Sequence, residues 1–242
     1  MTDYVNIYDA SAHQDFYIQH DKAVAAGFPA AIFRASTGTL KDGTFAYNAD
    51  RTLAADGRIG AYHFYYVHRP AREQAEVFWA QIEPYWPLSV KAWWDIEGFS
   101  NLVAKWPAHA VEAHVLEADD RFQQLAGQTW DGIYTSASKW QEVLADRLSG
   151  AFSWLLGVAH YTTRPEPFLP APWRNAGKPW WWWQFSAYGR VSWYRDGFYN
   201  LDLGRIRRSD FEAEEPPPQP EPTIEEKVDR LWLAHPELHS VI

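Results

Sequence analysis

Val90-Lys91-Ala92-Trp93-Trp94-Asp95-Ile96-Glu97 is an apolar run that ends in two carboxylates two residues apart. Strand side chains alternate between faces, which puts Asp95 and Glu97 on one face at the strand's end and Ile96 on the other. A strand this apolar is expected to be buried, and the parallel strands of α/β barrels carry their reactive groups at their C-terminal ends. Two acids aimed at one spot suit cleavage of a glycosidic bond. That reaction needs a proton donor for the leaving oxygen and a second carboxylate that handles a nucleophile, a water or developing positive charge. The same spacing recurs at Asp210-Phe211-Glu212, but there it precedes a proline-rich tail and reads as solvated charge. For Asp95 and Glu97 the competing reading is a surface ion-pair cluster.

Working outward, Val5 to Asp9, Ala30 to Ala35 and Ile59 to Tyr65 read as strands, separated by helices over Tyr17 to Ala26 and Ala46 to Asp56 that stop at Gly27 and Gly57. Ala71 to Ile82 has helical apolar spacing at Ala75, Phe78, Trp79 and Ile82, and Pro84 and Pro87 end it before the Val90 strand. Downstream, helices over Ala108 to Ala126 and Ser138 to Leu148 alternate with strands at Asp131 to Thr135 and Trp154 to Ala159. This rhythm predicts a parallel sheet covered on both faces. After Tyr161 it changes. Pro165, Pro167, Pro170 and Pro172 mark a loop, and Pro179 to Phe185, Val191 to Tyr194 and Tyr199 to Leu203 are expected to be extended, to lack helices between them and to pair through short turns. About eight strands result, the number that closes a barrel whose interior side chains can fill. The expectation is an irregular α/β barrel.

Composition bounds the rest. A chain of 242 residues with 47% hydrophobic content can bury a full core as one domain. It has no cysteine, which removes disulfides and thiolate metal sites and fits a reducing compartment. The net charge of −9 and the lack of a basic run argue against a nucleic-acid partner. No apolar segment is long enough to cross a bilayer, and Met1-Thr2-Asp3-Tyr4 leads into a strand without the pattern of an export signal. Synthesis in the cytoplasm without membrane insertion is therefore expected. The 15 Trp, 13 Tyr and 13 Phe permit sugar stacking, yet such rings also fill barrel cores.

Three segments are expected: a catalytic barrel over residues 1–211, a Pro/Glu-rich linker over 212–222, and a tail over 223–242. Thr223 and Glu226 have capping-box spacing, and Ile224, Val228 and Leu231 share a helical face until Pro236. The short amphipathic helix so predicted either docks on the barrel, frays in solvent or self-associates.

The strand ends read, in order, Asp9-Ala10-Ser11, Arg34-Ala35-Ser36-Thr37-Gly38, Gly60-Ala61-Tyr62-His63-Phe64, Asp95-Ile96-Glu97, Tyr134-Thr135, Ala159-His160-Tyr161, Trp183-Gln184-Phe185 and Asp202-Leu203. This ordered series resembles the family 25 glycoside hydrolases, the Chalaropsis-type lysozymes, over about Val5 to Ile206. The resemblance implies a TIM-like (β/α)5(β)3 barrel and hydrolysis of the β-1,4 bond between N-acetylmuramic acid and N-acetylglucosamine in cell-wall peptidoglycan. It also implies Glu97 as general acid, Asp95 as the carboxylate assisting at the anomeric carbon, and Asp9 and Asp202 as further acids of the groove. Tyr62, Tyr134 and Gln184 match groove-lining positions, where a phenol or amide bonds a sugar hydroxyl or an N-acetyl oxygen; barrel-rim packing is their alternative reading.

Physical logic supports that division of labour. A general acid near neutral pH must hold its proton, and a neighbouring carboxylate favours one protonated partner. Asp9 and Asp202, from the first and last strands, become neighbours when the barrel closes and add negative potential for an oxocarbenium-like centre. Whether Asp95 attacks, activates water or steadies the substrate's N-acetyl group stays open here, with N-acetyl participation preferred. His63 reads as a hydrogen-bonded strand histidine, and the histidines lack metal-ligand spacing, so no metal and no cofactor is expected.

Three departures stand out. Thr37 occupies a position where the family commonly has an acid, Asp202-Leu203-Gly204 replaces its commoner Asp-Leu-Asn ending, and the Trp180 to Trp183 run is bulky; the last two are able to reshape the groove. The leading reading is a wall-lysing enzyme, of the kind a phage releases through a separate membrane pore. The alternatives are a non-hydrolytic glycan-binding barrel and a barrel hydrolase acting on chitin-like polymers.

Overall fold

The computed structural model describes residues 3–14, 16–88, 90–97, 106–145, 147–194 and 201–213. Its strands are β1 (Tyr4–Ala10), β2 (Ala30–Thr37), β3 (Leu40–Lys41), β4 (Arg58–Phe64), β5 (Lys91–Asp95), β6 (Gly132–Thr135), β7 (Leu155–Ala159), β8 (Trp182–Gly189) and β9 (Leu201–Arg207). Its α-helices are α1 (His20–Ala25), α2 (Phe45–Ala54), α3 (Ala71–Ile82), α4 (Ala108–Ala126), α5 (Ala137–Leu144), α6 (Ala171–Asn175) and α7 (Arg208–Glu212). Strands β1, β9, β8, β7, β6, β5, β4 and β2 pair in that order, and a β1–β2 ladder closes the ring; β3 is a hairpin appended to β2. Neighbours in the ring are parallel except β9, which runs against both β8 and β1. Helices α1 to α5 follow the first five parallel strands of the ring, and the last three strands lack such a cover, as the (β/α)5(β)3 expectation requires.

The end of the chain departs from the expected short turns. β7 and β8 are parallel, and parallel neighbours need a crossover, which residues 160–181 supply. Helix α6 sits inside that proline-rich crossover, against the expectation of no helix there. Pro170 caps it and Pro172 lies in its first turn, where a missing N–H costs nothing. Val191 to Tyr194 forms no strand; Tyr194 makes one bridge to Ile18. Gly57 is not the left-handed residue that stops α2: Asp56 adopts φ 58°, and Gly57 is small because a Cβ there would lie 2.7 Å from the Thr52 methyl.

Strand alternation sorts the core into two bodies. Outward residues such as Phe33, Ala61, Trp94, Ile133, Leu156 and Val158 pack under the helices. Inward residues Ile7, Ile32, Trp93, Tyr134, Trp182 and Ile206 fill the barrel. Two indoles fit there only because the next strand offers glycine at the same level. Trp93 is in register with Gly132 and Trp182 with Gly157. A Cβ on Gly132 would lie 2.2 Å from the Trp93 ring, and one on Gly157 would lie 2.1 Å from Trp182 Nε1. The bulky run thus builds the barrel's filling and outer wall: Trp182 stacks beneath Tyr134 at 4.9 Å, Trp181 packs on Trp93, and Trp180 and Trp183 face outward under Arg207 and Arg205.

The opposite mouth is shut by α7. Phe211 joins the interior cluster, its ring lies 4.1 Å from the Arg58 guanidinium, and Arg58 Nη1 donates to its carbonyl. The second acidic triplet is part of a helix seated on the barrel through Phe211, while Glu212 and, in part, Asp210 stay in solvent beside Arg208 and Arg207. The linker beyond Ala213 and the 223–242 helix lie outside the described residues.

Candidate active site

Asp9 lies near the end of β1, directly opposite Asp202, the second residue of β9. Because β9 is antiparallel, its beginning meets the C-terminal ends of the other strands, so closure does bring the first and last strands' acids together. Asp95 is the last residue of β5, and Glu97 follows two residues on. That strand end is held by Ile96 N–H donating to the Tyr134 carbonyl (2.9 Å) and by Thr135 Oγ1 donating to the Ile96 carbonyl (2.7 Å). Ile96 is buried outward, and the two acids face the barrel mouth with Asp9 and Asp202. All four predicted acids share one end of the barrel.

Their electrostatics follow from that crowding. Burial and then the Asp202 charge push Asp9 well above the ordinary carboxylate range, with Gln184 opposing. Burial, then Glu97 and Asp9, push Asp95 well up, and Arg34 pulls it back. Burial raises Glu97, opposed by Lys139 from the first turn of α5. Burial and then Glu97 raise Asp202 to about 7. The four cannot all ionise together near neutrality, so the mouth holds protonated and ionised carboxyls side by side.

Tyr134 and Gln184 form one network here. Tyr134 Oη donates to Gln184 Oε1 at 2.6 Å, Tyr161 Oη donates to the same oxygen at 2.7 Å, and Gln184 Nε2 donates to Asp9 Oδ2 at 3.1 Å. Gln184, implied as a sugar contact, has its carbonyl oxygen wholly engaged by protein. Tyr62 stands inward on β4 at the level of Arg34 and Trp93, and its phenol is raised by burial and then by Asp9. His63 is the bonded strand histidine expected, between Ser36 Oγ (2.8 Å) and Gln74 Oε1 (3.1 Å). Thr37 sits at the β2–β3 hairpin, opposite Leu40. Among the described residues, no group of three or more His, Asp or Glu side chains is arranged to hold a metal ion.

Crowded acids cost stability, which gives a test that needs no substrate. Asp202 has a raised native pKa, so above the usual carboxylate range the native state binds more protons than the unfolded chain. Its contribution is therefore lost as pH rises from about 4 through about 7. Asp202→Asn removes that penalty. At pH 8 its melting temperature is expected to exceed the parent's by roughly 3–8 °C, and at pH 4 the two should nearly coincide. A variant no more stable at pH 8 than at pH 4, relative to the parent, would contradict the crowding.

The sequence profile of the glycosyl hydrolases family 25 matches residues 8–193. The chain belongs to that family. No curated protein matches it. Among solved structures, this family 25 chain is similar to the bacterial lysozyme from Streptomyces coelicolor, at 23% identity over 85% of this chain and 93% of that one, with a TM-score of 0.71. It is also similar to a muramidase from Acremonium alcalophilum (20% identity, 84% and 93% covered, TM-score 0.69). A third likeness is to the catalytic domain of an endolysin from a bacteriophage of Listeria monocytogenes (16% identity, 87% and 96% covered, TM-score 0.66). At these identities the likeness is one of fold, and it is the barrel fold described above.

Two members of this family 25 site escaped the sequence reading. Arg34 points inward from β2, where a cation in an otherwise apolar strand was the available signal. Its Nε donates to Asp42 Oδ2 at 2.7 Å, and Asp42 is in turn saturated by the Ala12 and Thr44 amides and the Thr44 hydroxyl. Those donors hold Asp42 below its ordinary value despite its burial. Tyr161 follows β7, and the residue is 57% exposed beside its buried partners Tyr134 and Gln184. Its place at a strand end was the only sequence sign of it.

Proposed function

We propose that this glycoside hydrolase is a muramidase, cutting the β-1,4 bond between N-acetylmuramic acid and N-acetylglucosamine of peptidoglycan. One observation carries the proposal: carboxyls from β1, β5 and β9 meet at one mouth of the barrel with their proton affinities raised. The family assignment and the kinship in fold with a lysozyme, a muramidase and an endolysin support it.

In this reading Glu97 gives its proton to the glycosidic oxygen as the bond from the anomeric carbon to that oxygen breaks. The substrate's acetamido carbonyl oxygen closes on the anomeric carbon, forming a cyclic oxazolinium. Water then opens the ring and returns a proton to Glu97. Asp95 steadies the acetamido N–H. Its Oδ1 is buried and finds no hydrogen-bond partner among the described residues, so an acceptor is free for that group. Asp9 and Asp202 supply negative potential for the positive charge that develops, and Tyr62 borders the sugar. The proposed setting is lysis of a bacterial wall, as in phage release, with residues 1–211 as the catalytic unit, 212–222 as linker and 223–242 as a tail that docks or self-associates.

Mass analysis of fragments released from purified cell walls tests the bond assignment. New reducing ends on N-acetylmuramic acid are expected, with chitin oligomers left intact. New reducing ends on N-acetylglucosamine, chitin cleavage, or wall binding without any release would each point to another activity.

A further inference from the structure

The Asp9–Asp202 pair is built differently on its two sides. On the barrel side, Gln184 presents an N–H to Asp9 Oδ2. Its oxygen receives two phenolic hydrogens, from Tyr134 and Tyr161 at 2.6 and 2.7 Å, and these two bonds hold the amide with its N–H toward Asp9. On the open side, Asp202 stands opposite Asp9 across the β1–β9 ladder, and its charge raises the proton affinity of Asp9. Asp9, 6% exposed, is the deeper member, and two carboxyls this crowded share one proton between them. A carbonyl in place of that N–H would spend Asp9's proton on the barrel wall. No partner at all would let the buried pair take up a second proton.

We propose that Gln184, clamped by Tyr134 and Tyr161, is a positioning residue that keeps the Asp9–Asp202 pair at one proton and one negative charge. The inference rests on the muramidase reading for its use, though not for its test. An N–H donated to a carboxyl favours the ionised pair. Every other charged or titratable group at this mouth acts alongside it. Glu97 and Asp95 after β5 oppose ionisation of the pair. Tyr62 from β4, Tyr134 from β6 and Tyr161 after β7 are phenols, while Arg34 from β2 and Lys139 from α5 are the cations acting on Asp95 and Glu97. Only Gln184 bonds Asp9 from the barrel side among the described residues.

Gln184→Leu keeps the shape and removes the donor. With aspartate side chains labelled by carbon-13 at the carboxyl, NMR titration of the parent reads the ionisation of the pair directly, without any substrate. In the variant that ionisation is expected about one pH unit higher, the scale of one hydrogen bond to a charged group. In wall clearing, the acid limb of the kcat profile should move up by the same amount with KM little changed. A combined Tyr134→Phe and Tyr161→Phe variant, which frees the amide without removing it, should move both readings the same way by a smaller step. That second variant serves if the first fails to fold. Unmoved titrations in either folded variant overturn the proposal. A parent that titrates as described but releases no wall fragments leaves it standing and defeats the muramidase reading instead.

Discussion

Glu97→Gln is expected to lower wall-clearing turnover about 10³-fold, within the range that a positioned general acid contributes. The amide keeps the size and the hydrogen-bonding ability of the acid but has no proton to give to the leaving oxygen. The strand end that carries it is fixed by main-chain and Thr135 bonds through Ile96 and not by the Glu97 side chain, so the fold should be unaffected. The variant is also relieved of a repulsion, since Glu97 is the leading charged neighbour that raises Asp95 and Asp202. It should therefore melt slightly above the parent at pH 8 while being nearly inert. A Glu97→Gln protein that clears walls at the parent rate removes Glu97 from the acid's role.

Gly132→Ala carries the largest expected structural effect. The added methyl would meet three carbons of the Trp93 ring at 2.2 to 2.8 Å. Trp93 is fully buried, with Trp181 at 5.3 Å and Trp182 at 6.0 Å closing its other sides, so the ring has no vacant space to enter. Overpacking of this kind costs about 3 kcal/mol or more, and it acts directly under the catalytic mouth. Denaturant titration should show that loss together with reduced activity. Gly150→Ala, whose added methyl meets nothing within 4 Å, is the matched control and should change stability by less than about 0.5 kcal/mol. Equal stability of the two variants would mean that the indole is not confined as described.

The parts of the fold that could be read in the sequence are those governed by local pattern. Helices predicted at 71–82 and 108–126 have those bounds in the structure, since prolines and a glycine in the left-handed region, Gly127, punctuate clear apolar stripes. The placement of Asp9, Asp95 and Glu97 was legible for a related reason: they stand at or just past the end of an apolar strand, where alternation says which way each faces, whereas Asp202 stands near the start of its strand. What escaped depends on distance in the chain. The parallel crossover from β7 to β8 follows from which strand lies next in the ring, and no local signal in the proline-rich segment reveals it. The bond from Gln184 to Asp9 spans 175 residues, and its amide is held by Tyr134 on β6 and Tyr161 after β7. The role of the Trp run was legible only once register placed Gly157 beside Trp182.

The seam between β1 and β9 has a consequence for the life of the chain. Asp202 takes its place only after nearly all of the barrel has left the ribosome, and its partner strand must wait, paired on one side, through the whole of synthesis. No nascent or prematurely terminated product that stops before β9 holds the complete acid set. The proposed acid set is thus completed in one step, when the last strand joins the first.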